Sequence, residues 1–411
     1  MLIGENGTGK SHVLKAIGYP VRAVWARVSC KVERPMRSYT FTDELLNSMR
    51  EQGDPLADAT IAAIFAEGRV DHINALFRDF DQNFERPPED LPPALHRYLV
   101  ESATLPAWAD KARYERGNDL LGRYAPQLVV GMLCASLTTC YVCVDASRVL
   151  GLSQRLNDYG YRRIMETAQF VLDIFDEGAL EPTGYGMRSI QKIRLLHATI
   201  RYHVRQDPRW SPTWGVPVNQ EDMVMTMLTN SILGLHALER LGVDLEDDQK
   251  ESFVHVWNVA GHLLGIDARL LPDTYQDGVV LLAKILTRHQ GASETGRKLT
   301  RTLLDVLAEV IPGKALDGMP ATLIRYFVGD KIADMLAVPA ADWTRVLIPP
   351  LRGISYITDE LGDRNARLAA LFGIIGRNVL KGMFRAIRGP NRFDWRIPRS
   401  VSERWGLDAH T

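Results

Sequence analysis

Between Arg188 and Arg205 the chain reads RSIQKIRLLHATIRYHVR. One histidine, His197, stands among apolar residues, with Arg194 three positions before it and Arg201 four after. At helical spacing both arginines lie near the face that carries the imidazole. A neutral imidazole can ligate iron, and two guanidiniums can pair with the propionate carboxylates of a haem. The same histidine is also compatible with a satisfied core or surface role, so the segment by itself leaves both readings open. A second chemical motif stands near the start of the chain. Gly4–Ser11, GENGTGKS, fits the phosphate-loop pattern GxxxxGK followed by Ser or Thr. In a working loop the backbone amides cradle phosphates, Lys10 reaches the terminal phosphates and Ser11 holds magnesium.

Each motif needs elements that hold it. A phosphate loop needs a preceding strand and a later apolar strand ending in an aspartate. Met1–Ile3 are too short for the first, and the second is not found. Residues 1–37 are therefore read as an N-terminal extension with an isolated P-loop-like motif that does not function. Nucleotide binding is kept as an alternative. The histidine needs a helix packed in an apolar interior, and helical periodicity runs through most of the chain beyond residue 37. Short helices are expected over 42–52, 55–67, 70–81 and 93–102. Longer ones are expected over 117–137, 158–177, 187–205, 220–241, 247–264, 273–290, 294–310, 320–337 and 359–387. Asn219, ahead of Glu221 and Asp222, and Asp247 read as helix caps. Alternating strand patterns are scarce, so the fold is expected to be all-α.

Composition sets the remaining bounds. The 411 residues are 46% hydrophobic and 24% charged, with a formal net charge of −1, as in an ordinary globular chain. Near-neutral charge gives no electrostatic ground for a nucleic-acid partner. The four cysteines include one CxxC, Cys140–Cys143, inside an apolar run and without a second pair. Buried thiols are the expected reading, not zinc or disulfides. No secretory leader is evident, so a cytoplasmic location is expected. The uncharged run 124–144 is nearly long enough to span a bilayer but contains Pro126, Gln127, Ser136, Thr138 and Thr139. It is read as a buried helix. HExxH and GxSxG are absent, which argues against common zinc and serine hydrolases.

From about Ser38 onward the chain resembles the rubber oxygenase family, which includes the latex clearing proteins and membrane-associated fungal oxygenases. Seven blocks carry the resemblance in order. They are GDPLAD (53–58), LPAWAD (105–110), YRRIMETAQFVLD (161–173), KIRLLHATIR (192–201), GVPVNQED (215–222), LGLHALERLGV (233–243) and WNVAGHLLGI (257–266). The resemblance implies a globin-like helical core around haem b, spanning 38–388 and followed by a basic tail, 389–411. It implies His197 as the proximal iron ligand, with Arg194 and Arg201 beside the cofactor and Arg163 and Thr167 as the catalytic pair next to it. It further implies dioxygen and an apolar alkene, isoprenoid or lipid, as reactants, with oxidative C=C cleavage to carbonyl products. A non-catalytic haem or lipid carrier of the same fold remains the alternative.

Two departures from the family pattern stand out. Latex clearing proteins have a lysine just before the threonine that matches Thr167, where this chain has Glu166. A carboxylate is a poor resting ligand for haem iron, so the far side of the haem is expected to be open or water-bound. The family's upstream glutamate base falls near Thr139, with Asp145 the nearest acid, which leaves the base unassigned. Toward the C-terminus, Arg377, Lys381, Arg385, Arg388, Arg392, Arg396 and Arg399 recur every three or four residues with interleaved aromatics. That stripe suits peripheral contact with an anionic membrane surface or, alternatively, a solvated helix face and a tail packed on the body.

Overall fold

The computed structural model describes residues 41–79, 91–152, 156–176, 178–180, 184–310, 316–350, 352–353 and 397. Among these, regular structure is helical throughout, and the only β-type pairing is an isolated bridge between Cys143 and Gln290. Four short helices come first: α1 (Asp43–Arg50), α2 (Pro55–Ala66), α3 (Val70–Asp79) and α4 (Pro93–Glu101). After them come α5 (Lys111–Arg123), α6 (Ala125–Gly131), α7 (Leu137–Val142), α8 (Val144–Leu152), α9 (Leu156–Ile174) and α10 (Tyr185–Val204). The remainder comprises α11 (Gln220–Arg240), α12 (Asp247–Leu263), α13 (Tyr275–His289), α14 (Glu294–Val310), α15 (Met319–Val328) and α16 (Asp330–Met335).

Local chemistry explains where the expected boundaries shift. The helix expected over 117–137 is two helices. Tyr124 leaves helical geometry at φ −115° and ψ 26°, and the next helix restarts with Pro126 in its first turn. Proline has no N–H to continue a ladder but suits a first turn. Likewise, the helix expected over 320–337 breaks at Gly329, whose φ of 80° favours glycine. The Asn219 cap forms as expected, its side chain accepting from the Asp222 amide. The cap of α12 is Glu246 rather than Asp247: Glu246 and Gln249 form a reciprocal capping box. The helix expected over 359–387 lies outside the described residues, as does the Gly4–Ser11 motif.

The run Ala125–Val142 is apolar and long enough to cross a membrane by length and composition. In the fold it is interior. Its middle, Met132–Ser136, is a π-turn, and it packs against α11, α14 and α15. Two larger cores flank it. One joins α5, α11, α12 and α13 through residues such as Leu121, Leu228, Phe253 and Leu282. The other joins the run to α14 and α15 through Val142, Leu303 and Ile324. The thiols of Cys134 and Cys140 sit inside, and burial pushes them up to about 12 and about 11 respectively.

A third, smaller core seats α10. Leu195 and Ala198 pack with Ala57, Ile61 and Ile64 of α2 and with Tyr98 and Leu99 of α4. Polar bonds fix the contact. Tyr98 Oη donates to the Gln191 carbonyl at 2.7 Å, and Gln191 Nε2 donates to the Leu99 carbonyl at 2.9 Å. Ile397 belongs to the same core. It is buried, and its backbone exchanges two hydrogen bonds with the Asn74 side chain. Thus the one described residue of the basic C-terminal stretch docks on the body, while the arginines of that stretch lie outside the described residues.

Candidate functional site

His197 lies in the second half of α10, where its imidazole keeps partial exposure while Nδ1 is buried without a hydrogen-bond partner. Burial pushes the ring down to about 4, the Arg201 guanidinium adds to the effect and Asp54 opposes it. The ring is therefore neutral at physiological pH and has a lone pair to offer.

The two arginines on either side have carboxylate partners within the protein. Arg194 grips Asp54 with two bonds, Nε to Oδ2 at 2.5 Å and Nη2 to Oδ1 at 2.9 Å, and its Nη1 donates to the Leu263 carbonyl at 3.0 Å. Arg201 donates from Nε to Asp58 Oδ1 at 2.6 Å and from Nη1 to the Val218 carbonyl at 3.0 Å. Its Nη2 is buried and unpartnered. Both arginines are thus engaged by the protein's own carboxylates. Each nitrogen of the Arg194 guanidinium makes a bond, whereas one nitrogen of Arg201, Nη2, makes none. A buried guanidinium is stable only beside a counter-charge, and Asp54 and Asp58 supply it.

Those carboxylates come from the GDPLAD block at the start of α2. Asp54 caps the helix by accepting from the Ala57 amide, and Asp58 Oδ2 accepts from the Asp54 amide at 3.2 Å. The N-terminal end of the helix dipole favours both charges. Gly53 and Gly265 leave room for the pairs. A Cβ on Gly53 would meet Asp58 Oδ2 at 2.5 Å, and one on Gly265 would meet Asp54 Oδ2 at 2.5 Å and Arg194 Nε at 2.8 Å. Gln220 ties the two glycines together, donating to the Gly53 and Gly265 carbonyls at 2.7 and 2.9 Å, while its Oε1 accepts from Asp267 N–H at 2.8 Å. Four blocks far apart in sequence thus meet around one helix. Gly265 also has φ 83°. Gly265→Ala is expected to lower stability by about 2 kcal/mol or more, read as the urea midpoint shift.

Thr167 lies on α9, which packs against α10. It lines a narrow apolar pocket of about 40 Å³ with Leu128, Met132, Ile164, Val171 and Asn230. That volume is well below the roughly 300–1,000 Å³ of sites for drug-sized ligands, so the pocket suits a small or slender group. The π-turn contributes Met132 and Leu133 to the wall. Arg163 is on the same helix, but its side chain lies outside the described residues. Glu166 is part-buried. Of the two positions near the unassigned base, Thr139 is buried in the interior. Asp145 is bound by Arg50 at 3.1 Å and Arg148 at 2.8 Å, one guanidinium on each carboxylate oxygen.

The other histidines have separate roles. His203 meets Phe65 and Tyr202 edge-on. His255 accepts from Asp110 N–H at 2.9 Å, and His262 packs against Trp108. No group of three or more His, Cys, Asp or Glu able to hold a metal ion occurs among the described residues.

The sequence offered a usable signal for the missed carboxylates: Asp54 and Asp58, one turn apart at a helix start, answer two arginines two turns apart. The pocket wall and the Gln220 tie had no comparable sequence signal.

Comparison with known proteins identifies the family. Residues 125–354 match the family described as ER-bound oxygenase mpaB/B'/Rubber oxygenase, catalytic domain. That span includes Arg163, Thr167, Arg194, His197 and Arg201. The chain is 29% identical over 291 residues to the rubber oxygenase of Streptomyces sp. (strain K30), covering 69% of this chain and 70% of that protein. It is also similar to a solved structure of latex clearing protein in the closed state, with a TM-score of 0.68 and 25% identity. That match covers 82% of this chain and 90% of the other. A profile match over more than half the chain, joined to that relative and that fold, places the protein in the ER-bound oxygenase mpaB/B'/Rubber oxygenase catalytic-domain family, as an oxygenase.

Proposed function

We propose that this oxygenase uses haem b, held by His197, to cleave a C=C bond of an apolar isoprenoid or lipid with dioxygen, giving carbonyl products. The observation that carries the reading is the His197 imidazole itself: neutral, partly accessible, on a clamped helix, and with a buried ring nitrogen that no protein group satisfies. Both ring nitrogens of His236 are likewise buried without a hydrogen bond, and it is the KIRLLHATIR block with its two flanking arginines that favours His197 as the ligand. The residues present fit the group. His197 would ligate the iron, and the unpartnered Arg201 Nη2 would donate to a propionate or to a water beside it. When bound, haem supplies the redox chemistry that activates dioxygen.

The chain's own residues do the rest. The apolar wall from α6, α9, α11 and the π-turn suits a slender alkene segment or dioxygen, with Thr167 at its exposed edge. The Thr167 hydroxyl supplies a polar group in that wall, and Arg163, on the same helix, supplies charge. A carrier of the same fold is the second reading, favoured by Asp145 being engaged by two arginines and so not placed as a free base.

The test is the visible spectrum of purified protein, oxidised and dithionite-reduced, with a pyridine haemochrome assay and oxygen uptake on unsaturated terpenoids. The expected result is a Soret band, b-type haemochrome bands near one haem per chain, and substrate-dependent oxygen consumption. A protein that stays colourless after haem is supplied sinks the haem reading. Haem without oxygen uptake on any apolar alkene favours the carrier.

A further inference from the structure

We infer that Asp54 and Asp58 are positioning residues for the His197 imidazole, acting through Arg194 and Arg201 to set the rotation and depth of α10. The inference rests on the haem reading proposed above. Its basis is geometric. The arginines stand one turn to either side of His197 and leave the helix toward α2. There each meets a carboxylate that is itself pinned by backbone amides, from Ala57 and from Asp54. A side chain held by one flexible partner transmits little. Here both ends are fixed, because α2 shares a core with α10 through Leu195 and Ala198 and the glycine-lined cradle admits no larger group.

Each pair has one deeply buried member, Asp54 at 2% exposure beside Arg194 at 11% and Arg201 at 1% beside Asp58 at 26%, so the fields of Asp54 and Arg201 are the less screened at the imidazole. Asp54 and Asp58 together balance the two guanidiniums. Loss of either carboxylate leaves an uncompensated positive charge beside the iron's ligand. That charge disfavours the ferric state, which carries one more positive charge than the ferrous state. It also frees the arginine to adopt another rotamer and the helix to rotate. The same logic governs outer-shell carboxylates in other metal sites, where partners of the ligand tune affinity and electronics.

The test compares haem-loaded wild type with Asp54→Asn and Asp58→Asn, using spectroelectrochemical titration and the iron–histidine stretching band of the ferrous protein. Both variants are expected to shift the midpoint potential upward, by about tenfold in the ferrous-to-ferric ratio at a fixed potential, and to broaden or displace the stretching band. A purely structural clamp would lower thermal stability and leave potential and band unchanged, and that result overturns the inference. Should either single variant fail to fold, Arg194→Met combined with Asp54→Leu carries the same test, because buried ion pairs are often replaced by apolar pairs at little cost. With both charges gone the potential should stay near wild type while the band broadens. An unaltered band in that protein also overturns the inference. A wild type that takes up no haem fails the functional reading and this inference together. A haem protein whose potential and band ignore Asp54 and Asp58 fails this inference alone.

Discussion

His197→Ala is expected to give a folded protein that no longer retains haem and no longer consumes oxygen with alkenes. The fold should survive because the imidazole contributes no hydrogen bond that the structure would lose, and α10 is held by Leu195, Ala198, Gln191 and the two arginine–aspartate pairs. Haem affinity should fall by more than about 100-fold, since even outer-shell partners of a metal ligand typically account for 10–100-fold. Rescue by a neighbouring histidine is not expected. His203 is packed against Phe65 and Tyr202, and His255 and His262 of α12 are engaged around Trp108. Added imidazole should partly restore the Soret band by entering the space the side chain leaves. Haem titration with subsequent gel filtration measures the loss. Full occupancy and wild-type turnover in His197→Ala would move the iron to another residue.

The second large effect is on stability and lies away from His197. Arg50 of α1 reaches into a buried cluster with Asp145 of α8, Glu221 and Asp222 of α11, and the Trp214 carbonyl. Glu221 is fully buried and receives Arg288 at 3.0 Å, His289 at 3.0 Å and Arg50 at 3.4 Å. Removing it by Glu221→Ala leaves two guanidiniums short of a counter-charge and the His289 ring without this hydrogen-bond partner. Breaking a buried ion network in this way costs about 3–5 kcal/mol, and denaturant midpoints should fall accordingly.

The same carboxylate gives a pH signature. Burial by itself would raise the Glu221 carboxyl, but the His289 hydrogen bond and the His289, Arg288 and Arg50 charges outweigh it and hold it below the ordinary 4.5. A lowered folded-state value means stability that is present above 4.5 and is lost as pH falls through it. Asp222 runs the other way. Burial pushes it up to about 6, with Arg50 opposing and Glu221 adding, so its contribution is lost as pH rises from 3.8 toward 6. Glu221→Gln should therefore flatten the acid limb of the stability–pH curve below 4.5 and also lessen the loss between 3.8 and 6, because the Glu221 charge helps to raise Asp222. An acid limb as steep as wild type would show that the loss arises elsewhere.

Much of this protein was legible in residue order alone. Helical period, proline and glycine breaks and the Asn219 cap are local, and they specified an all-α chain with nearly all of its described helices. His197, Arg194 and Arg201 stood out because helical spacing places them near one another whatever surrounds the helix. What spacing could not supply was their partners. Asp54 and Asp58 lie about 140 residues away from the arginines they neutralise, and no local rule pairs a helix start with a distant helix face. The same holds for Gln220 bridging Gly53 to Gly265, and for Asp145, which proximity in sequence offered as a free acid and the fold binds to Arg50 and Arg148. Charge compensation inside a low-dielectric core is settled by which side chains packing brings together. Only the tertiary structure decided that the arginines beside His197 answer first to the protein's own carboxylates.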